Sequence, residues 1–474
     1  MLHGVSDPLL PHPAAEGAVA VRLALEGEGA LAGLAAPQRA FAAAQGFCGK
    51  AGQLVLCPGA EGALELALFG LGGRADAMAV RGLAARLPPA VYRIASAPEG
   101  LDAELTALAW ALGSYRFDRY KKAPGQPRAE LTVGAGVDLE AVRRLAHACQ
   151  LARDLVNTPA SDMGPLQLET VAREIAAAHG AEIAVSLGED LLAAGYPAVH
   201  AVGRAADPAR APRMIELAWR GSEAGDAAPL VALVGKGVCF DTGGLDLKTS
   251  AGMRLMKKDM GGAAHALALG RLVMQADLPV RLVVLVPAVE NAVSGDAMRP
   301  GDVLASRKGL SIEVGNTDAE GRLILADALT RAGEHAPQLT LDFATLTGAA
   351  RVALGPEVPA LFSDDEALAA ALMAAGEAVR DPLWRLPLWP GYEEALDSEV
   401  ADLKNDPDAW AQAGAVAAAL FLKRFAPETG AWAHIDLMAW NPRNRPGWPA
   451  GAEAQTLRAA FALLQARYGG GARA

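Results

Sequence analysis

The chain alternates apolar runs typical of buried strands with segments of helical periodicity. Runs rich in β-branched residues at 230–238, 280–289 and 339–343 predict strands that are covered on both faces. Helical patterns at 262–274 and 323–335 separate these runs. The alternation predicts an α/β fold whose central sheet, mostly parallel or mixed, lies between helices.

A shorter alternation of predicted strands and helices precedes the central sheet in the chain. Strands are expected at 53–57 and 90–95 and a helix at 102–112, before an exposed connector rich in Pro, Gly and charge at 121–128. A one-faced apolar pattern at 139–155 then predicts a linking helix that stops before Pro159. We therefore expect two domains, a smaller N-terminal α/β domain (1–130) and a larger C-terminal domain (166–474), joined by a linking segment (131–165).

Composition and charge exclude several classes of protein. Hydrophobic residues make up 52% of the 474 positions and charged residues 20%, as in globular proteins. The net charge of −11 disfavours a nucleic-acid surface built on bulk positive charge. We find no secretory signal at the start, no apolar run of the roughly 18–20 residues that a membrane span needs, and four cysteines without CxxC spacing. A cytoplasmic protein without a membrane partner is expected.

Charged residues stand inside otherwise apolar, Gly-rich sequence in three segments, 235–248, 256–262 and 316–322. In the first segment, polar residues directly follow the predicted strand at 230–238, and polar residues also follow the predicted strand at 339–343. Ligands of open α/β sheets collect at the carboxyl ends of strands. The chain contains no HExxH, GxSxG, GxxxxGK[ST] or GxGxxG motif. The commonest zinc-protease, serine-hydrolase and nucleotide-binding signatures are therefore excluded.

These segments contain five carboxylates, and four of them are candidate ligands: Asp241, Asp259, Asp318 and Glu320. Converging carboxylates repel one another, whereas two divalent cations would neutralise them, so the pattern predicts a metal site. If residues 318–320 are extended, Asp318 and Glu320 point the same way and reach one site. Lys236 can be a ligand only if metal binding displaces its proton.

The segments 235–244, Gly-Lys-Gly-Val-Cys-Phe-Asp-Thr-Gly-Gly, and 316–322, Asn-Thr-Asp-Ala-Glu-Gly-Arg, resemble the M17 leucine aminopeptidases. The resemblance is strong over 152–348, moderate through the rest of the C-terminal part, and weak before residue 112 apart from 113–118. It implies that residues 166–474 form a metallopeptidase catalytic domain. It also implies a homohexamer that releases Leu and other apolar N-terminal residues from peptides.

By this resemblance Asp241 and Glu320 would bridge two metal ions, Lys236 and Asp259 would complete the tighter site, and Asp318 would complete the more exchangeable one. The ions would be Mn²⁺ or Zn²⁺, with Mg²⁺ as a further candidate. Two such cations can lower the pKa of a bridging water from 15.7 toward about 7. One of them would also ligate the free α-amine of the substrate, which would restrict hydrolysis to the first peptide bond.

The resemblance assigns further residues that do not bind metal. Lys248 would polarise the scissile carbonyl, and Arg322 would hold a bicarbonate ion that acts as the general base. Met256, Thr345 and Gly348 would border the side chain of the first substrate residue.

The sequence leaves two other functions open. The protein could instead be a DNA-binding regulator, or an inert scaffold that keeps the aminopeptidase fold. Cys239 and His265, although close to the charged segments, are expected to be structural. Asp246 stands where the commoner family form has a small hydroxyl residue, and it adds a negative charge near Lys248.

Overall fold

The structure, a computed structural model, describes residues 7–12, 17–122, 127–407 and 412–470. The chain divides into two units. The smaller unit contains the described residues up to Gln150 together with Asn441–Ala450, and the larger contains Leu151–Trp440 and the described residues from Gly451 onward. The division falls inside one long helix, Leu139–Asn157. The domain limits at residues 130 and 165 stay a prediction.

The smaller unit is built on a mixed sheet. Its strands are β1 (Leu9–Leu10), β2 (Val19–Leu25), β3 (Leu54–Pro58), β4 (Leu64–Gly72), β5 (Val91–Ser96) and β6 (Glu130–Thr132). Its helices are α1 (Ala36–Ala44), α2 (Val80–Ala84), α3 (Ala103–Gly113) and the start of α4 (Leu139–Asn157). Among the described residues the strand order is β1-β6-β5-β2-β4-β3, and only the β3–β4 pair is antiparallel.

The start of α3 shows how the sequence sets a helix boundary. Asp102 is the N-cap, and its carboxylate accepts a hydrogen bond from the Leu105 N–H at 2.8 Å. This bond satisfies one of the backbone donors that have no partner inside the helix. Later in α3, Trp110 is fully buried beside Tyr92, with ring centroids 5.7 Å apart. The helix predicted at 102–112 is confirmed.

The larger unit contains the remaining elements. Its helices are the end of α4, α5 (Pro165–His179), α6 (Asp190–Ala193), α7 (Pro197–Gly203), α8 (Ser250–Met253), α9 (Gly261–Gln275), α10 (Glu320–Glu334), α11 (Gly348–Leu354), α12 (Glu366–Ala378), α13 (Gly414–Lys423) and α14 (Leu457–Tyr468). The strands are β7 (Glu182–Leu187), β8 (Arg213–Arg220), β9 (Leu230–Gly235), β10 (Gly237–Asp241), β11 (Arg281–Asn291), β12 (Val303–Ala305), β13 (Ser311–Glu313), β14 (Leu339–Ala344), β15 (Ala360–Phe362), β16 (Trp384–Arg385), β17 (Leu403–Lys404), β18 (Ala431–Asp436), β19 (Trp440–Asn441), whose second residue belongs to the smaller unit, and β20 (Gly451–Ala452).

A mixed sheet forms the centre of this unit. Its order among the described residues is β16-β15-β18-β14-β9-β11-β8-β7, and β10 pairs with β11 as well. The central strands β18, β14, β9 and β11 are parallel, whereas β8 and β7 on one side and β15 on the other join by antiparallel pairing. The mixed sheet predicted for the C-terminal part is confirmed.

Helices cover both faces of this sheet because side chains alternate along each strand. Ala232 and Val234 of β9 belong to a buried cluster with Leu323 and other residues of α10. Leu233, between them, lies on the opposite face, where a side chain at Gly270 of α9 would come within 3.9 Å of it. The sheet is therefore enclosed between α9 and α10, as the continuous apolar runs predicted.

Two details differ from the predictions. The run at 230–238 is not one strand, because Lys236 separates β9 from β10. The helix expected from residue 323 begins at Glu320, and residues 317–319 form a turn rather than an extended segment. The condition under which Asp318 and Glu320 would point the same way, an extended segment, is therefore not met. No helix in the described ranges is both long and apolar enough to cross a bilayer.

Candidate active site

The site forms where neighbouring strands of the larger sheet end. β10 ends at Asp241, β11 ends at Asn291, and β14 ends one residue before Thr345. Parallel pairing of β10 with β11, β11 with β9, and β9 with β14 brings these ends to one edge of the sheet. This is the edge at which open α/β sheets bind ligands. The 3₁₀ helix Met256–Met260 and the first turn of α10 complete the site.

Lys236 is buried at the break between β9 and β10, and glycines make room for it. Its backbone N–H donates to the Phe343 carbonyl at 3.0 Å, which holds the break against β14. A Cβ at Gly321 would lie 2.4 Å from Lys236 Cε, and one at Gly262 would lie 2.0 Å from the Phe343 carbonyl oxygen. The sequence needs glycine at both positions, because any larger residue would displace the lysine or the strand.

The ammonium of Lys236 lies between two carboxylates. Its Nζ is 2.7 Å from Asp259 Oδ2 and 3.0 Å from Glu320 Oε1. Asp241, Asp259 and Glu320 are all buried, and each offers an oxygen within 4.8 Å of those of the other two. Three carboxylates and one amine from separate segments therefore converge on one place.

A second lysine lies between the other pair of carboxylates. Lys248 Nζ is 2.7 Å from Asp241 Oδ2 and forms an ion pair with Asp318. The Asp318 side chain is 33% exposed, whereas that of Asp241 is 3% exposed. Asp318 therefore lies at the more open end of the cluster, next to Asp241.

Burial and mutual repulsion shift the protonation equilibria of these groups. Burial, and then the charge of Asp241, raise the pKa of Asp318 to about 6 and that of Glu320 well above its usual value. Burial opposes the charge on Lys236 and Lys248, yet the surrounding carboxylates outweigh it and raise the pKa of both lysines. A cation at this cluster is therefore strongly favoured.

The free acceptor atoms of the cluster fit a divalent cation. Both carboxylate oxygens of Glu320 and Oδ2 of Asp259 are buried and accept no hydrogen bond from the described residues, although Lys236 is close to two of these three atoms. Carboxylate oxygens are ligands for Mn²⁺, Zn²⁺ and Mg²⁺. Buried acceptors in native proteins are seldom left without a partner, so these atoms match the requirements of a metal site.

Arg322, the other predicted catalytic cation, is buried on the first turn of α10. Its Nη1 donates to the Asn405 carbonyl at 2.6 Å, and its Nε has no partner among the described residues. Burial lowers the pKa of Arg322, although an arginine remains charged at neutral pH. One donor is therefore still available for an anion.

A cavity of about 780 Å³ opens beside the cluster. Met256, Thr345 and Gly348, the predicted pocket residues, all line it. Thr345 Oγ1 donates to Asp259 Oδ1 at 2.8 Å, so this wall is tied to the carboxylate cluster. The cavity therefore places a bound molecule against the charged residues and the predicted pocket residues together.

Comparison with known proteins identifies the family. The catalytic-domain model of the cytosol aminopeptidase family matches residues 150–460, and the M17 aminopeptidase N-terminal domain model matches residues 25–133. A probable cytosol aminopeptidase of Syntrophotalea carbinolica is 41% identical over 451 residues, which cover 88% of this chain and 89% of that protein. The chain belongs to the M17 cytosol aminopeptidase family.

Solved structures agree with this M17 assignment. The crystal structure of cytosol aminopeptidase from Coxiella burnetii is 43% identical, with a TM-score of 0.90 over 98% of this chain and 100% of that chain. The bottromycin maturation enzyme BotP in complex with Mn is 35% identical, with a TM-score of 0.85 over 95% and 99% of the two chains. The predicted family and its two-domain α/β fold are confirmed.

Membership of the M17 family also settles the class of activity. The protein is an aminopeptidase, and hence a hydrolase of peptides. The two alternatives, a DNA-binding regulator and an inert scaffold, are not favoured. The match at 25–133 further shows that the N-terminal part, where the resemblance is weak outside 113–118, belongs to the same family.

Two polar residues that support the M17 site were not identified from the sequence. Asn291 Nδ2 donates to Asp241 Oδ1 at 2.9 Å and to the Thr317 carbonyl at 3.1 Å. Asn405 Nδ2 donates to the Ala319 carbonyl at 3.2 Å. The polar end of the predicted strand at 280–289 was a usable signal for Asn291. Nothing in the sequence near Asn405 indicates its position.

Asp246 does more than add a negative charge near Lys248, because it also forms hydrogen bonds with Thr317. Its Oδ2 accepts hydrogen bonds from the Thr317 N–H at 2.7 Å and the Thr317 hydroxyl at 3.1 Å. The Asp246 N–H in turn donates to the Thr317 hydroxyl at 2.9 Å. Asp246 therefore ties the loop that carries Lys248 to the turn that carries Asp318.

His265 is structural, as expected. Its Nδ1 lies 2.6 Å from the Gly261 carbonyl oxygen, and its Nε2 accepts the Gln455 N–H at 3.0 Å. The ring is fully buried and stacks on Phe343, with centroids 6.3 Å apart. Since both ring nitrogens are occupied, His265 is not available as a metal ligand.

Proposed function

We propose that this aminopeptidase depends on two divalent cations, held by Lys236, Asp241, Asp259, Asp318 and Glu320, to release the first residue of peptides with a free N-terminus. The observation that carries the proposal is the buried Glu320 carboxylate. Among the described residues its Oε2 has no hydrogen-bond donor, its Oε1 faces the Lys236 ammonium at 3.0 Å, and two further carboxylates converge on it. Asp241 and Glu320, central to the cluster, suit shared ligands. Asp318, at the open end, suits the more exchangeable ion.

When bound, the two cations would supply Lewis-acid activation of water and of the first carbonyl of the substrate. The protein's own contribution is to fix the ligands. Asn291 holds Asp241, and Thr345 holds Asp259, each through one short hydrogen bond. Such supporting bonds orient ligands and typically change metal affinity about 10-fold to 100-fold when removed.

Lys248 is suited to stabilise negative charge on the substrate carbonyl oxygen. Its ammonium borders the cavity and lies beside Asp241 and Asp318. If Asp241 and Asp318 served as metal ligands, the N–H donors of Lys248 would be free to bind the substrate. A fixed positive charge of this kind stabilises the oxyanion that develops during acyl transfer.

Arg322 is suited to hold a small anion that takes a proton from water. It borders the cavity, and its unbonded Nε can donate to bicarbonate, the general base that the family resemblance implies. The fully buried His265 has both ring nitrogens engaged and is unsuited to that task.

The location and assembly are part of the same proposal. The relatives' name, cytosol aminopeptidase, supports a cytoplasmic location, and the Mn in the BotP complex supports Mn²⁺ as one competent ion. A homohexamer and a preference for Leu at the first position follow from the resemblance and stay predictions. Analytical ultracentrifugation tests the first, and a panel of aminoacyl substrates tests the second.

The experiment is hydrolysis of Leu-p-nitroanilide by the full chain after chelation and after Mn²⁺, Zn²⁺ or Mg²⁺ is restored. Activity should disappear with the chelator and return with metal. N-acetyl-Leu-p-nitroanilide is the matched control and should not be cleaved. Activity that ignores the chelator would refute the metal mechanism, and equal cleavage of the acetylated substrate would refute the requirement for a free N-terminus.

A further inference from the structure

Lys258 is a buried cation in the wall of the active-site cavity. It lies in the 3₁₀ helix Met256–Met260, between the predicted pocket residue Met256 and the predicted ligand Asp259, and is 8% exposed. Its side chain lines the cavity. Its neighbour Lys257 does not, because Lys257 Nζ turns away and donates to the Asn157 carbonyl at 2.6 Å.

Within the described ranges, no carboxylate forms an ion pair with Lys258 and no acceptor takes a hydrogen bond from its ammonium. The two carboxylates whose charge acts on it are engaged elsewhere. Asp259 is paired with Lys236, and Asp436 accepts a hydrogen bond of 2.6 Å from the Thr347 hydroxyl and one of 3.2 Å from its N–H. Burial lowers the pKa of Lys258, and its charged form lacks a counter-ion among the described residues, so the site favours a ligand that carries an anion.

The surroundings of Lys258 define the shape of that ligand. Met256, Thr345 and Gly348, which line the same cavity, offer a thioether, a methyl group and open space. The Arg351 guanidinium is among the charges that act on Lys258, so the lysine lies on the side of the cavity where α11 begins. A side chain of short apolar stem and terminal carboxylate matches this combination.

We propose that Lys258 lets the side-chain pocket accept acidic first residues beside the apolar ones that the family resemblance implies, with glutamate preferred over its uncharged isostere glutamine. This inference rests on the proposed aminopeptidase function and names the substrate class for the same site. The methylene groups of glutamate would contact the apolar wall, and its carboxylate would accept a charge-assisted hydrogen bond from Lys258.

The test compares kcat/KM for Glu-, Gln- and Leu-p-nitroanilide in the Mn²⁺-loaded full chain. These substrates have no C-terminal carboxylate, so a preference for Glu over Gln must arise from the side chain. The wild-type protein should favour Glu over Gln by about 10-fold to 100-fold, the range for a hydrogen bond to a charged group. Equal rates for Glu and Gln in the wild-type protein overturn the proposal without any variant.

The variant Lys258→Met keeps the length of the side chain and removes its charge. The Glu-to-Gln ratio should fall toward one, whereas Lys258→Arg should retain most of the preference. Lys257→Met is the matched control, since it removes the adjacent charge outside the cavity, and it should keep the wild-type ratio. A ratio unchanged in Lys258→Met, or one lost in Arg351→Met instead, contradicts the assignment to Lys258.

The outcomes also separate this inference from the function on which it rests. If the wild-type protein cleaves none of the three substrates with metal restored, the proposed function fails and the inference fails with it. If Leu-p-nitroanilide is cleaved in a metal-dependent way but Glu is not preferred over Gln, only the role of Lys258 is wrong.

Discussion

Lys236 Nζ lies 2.7 Å from Asp259 Oδ2, and the two side chains are each 3% exposed. An amine so close to a buried carboxylate can join it as a metal ligand once a divalent cation displaces the ammonium proton. The same contact explains why a lysine occurs among otherwise acidic ligands. It is held there by the backbone break between β9 and β10 and by the space over Gly321.

The first prediction concerns this ligand. Lys236→Met removes the nitrogen but keeps a similar volume, so the fold should persist while metal affinity falls by at least about 100-fold. Isothermal titration with Mn²⁺ measures the affinity, and urea unfolding checks the fold. Lys257→Met, outside the cavity, is the control. Wild-type affinity in Lys236→Met would reject Lys236 as a ligand.

The second prediction concerns the space that Lys236 occupies. In Gly321→Ala the new Cβ would lie 2.4 Å from Lys236 Cε, so the lysine must move or the helix start must shift. The cost should be about 1–3 kcal/mol of unfolding free energy, together with a loss of metal affinity. Urea unfolding measures the first. Gly295→Ala, where nothing lies within 4 Å of the added Cβ, should behave like wild type.

The convergence of the carboxylates could be predicted from the sequence because it depends on which residue types are present. Charged residues inside apolar, Gly-rich segments needed partners, and the structure places Asp241, Asp259 and Glu320 together. The geometry was predicted less well. An extended segment would have pointed Asp318 and Glu320 the same way, but a turn and the start of α10 place them instead.

Two further features of the site that the sequence did not predict also depend on the folded structure. Asn405 reaches the site across 86 residues from Ala319, a contact that depends on tertiary packing and leaves no local pattern. In the sequence Lys258 is indistinguishable from an exposed lysine. Its burial and its lack of a counter-ion among the described residues are evident only in the structure. The sequence shows which charged and polar groups the chain contains, but which of them are removed from water is determined by the folded structure.

The third prediction concerns Asp246, which joins two catalytic loops through Thr317. Asp246→Ala removes two acceptor contacts and frees the turn that carries Asp318. We expect a roughly 10-fold weaker affinity at the more exchangeable metal position, with little change in unfolding free energy. Metal titration resolves the two affinities. Asp246→Ser, the form with a small hydroxyl group, should retain part of the affinity; an unaltered titration in Asp246→Ala would show that the tie has no positioning role.

The fourth prediction concerns pH and lies away from the active site. Glu216 accepts hydrogen bonds from Arg331 at 2.8 and 3.0 Å and lies 2.9 Å from His335 Nε2. Burial opposes ionisation, but His335 and Arg331 outweigh it and lower the pKa of Glu216 to about 2. The stabilisation is therefore complete above the ordinary glutamate pKa and is lost as the pH falls toward 2.

Glu216→Gln should accordingly lower the unfolding free energy at pH 7 by about 1–2 kcal/mol, after allowance for solvent screening of a partly exposed group. The difference from wild type should shrink at pH 3.5. Urea unfolding at both pH values measures it, and Glu366→Gln, whose exposed carboxylate pairs with Arg385, should change little. A difference that is the same at both pH values would contradict this account.

The most direct test of the two-metal site is the equilibrium metal content of the full chain after loading with Mn²⁺ and removal of unbound ion. Elemental analysis by mass spectrometry should give two Mn²⁺ per chain for the wild-type protein and clearly fewer for Glu320→Gln. Glu216→Gln, which keeps the cluster intact, should again give two. A wild-type chain that retains no metal yet cleaves Leu-p-nitroanilide, or a Glu320→Gln variant that still binds two ions, would contradict the central claim.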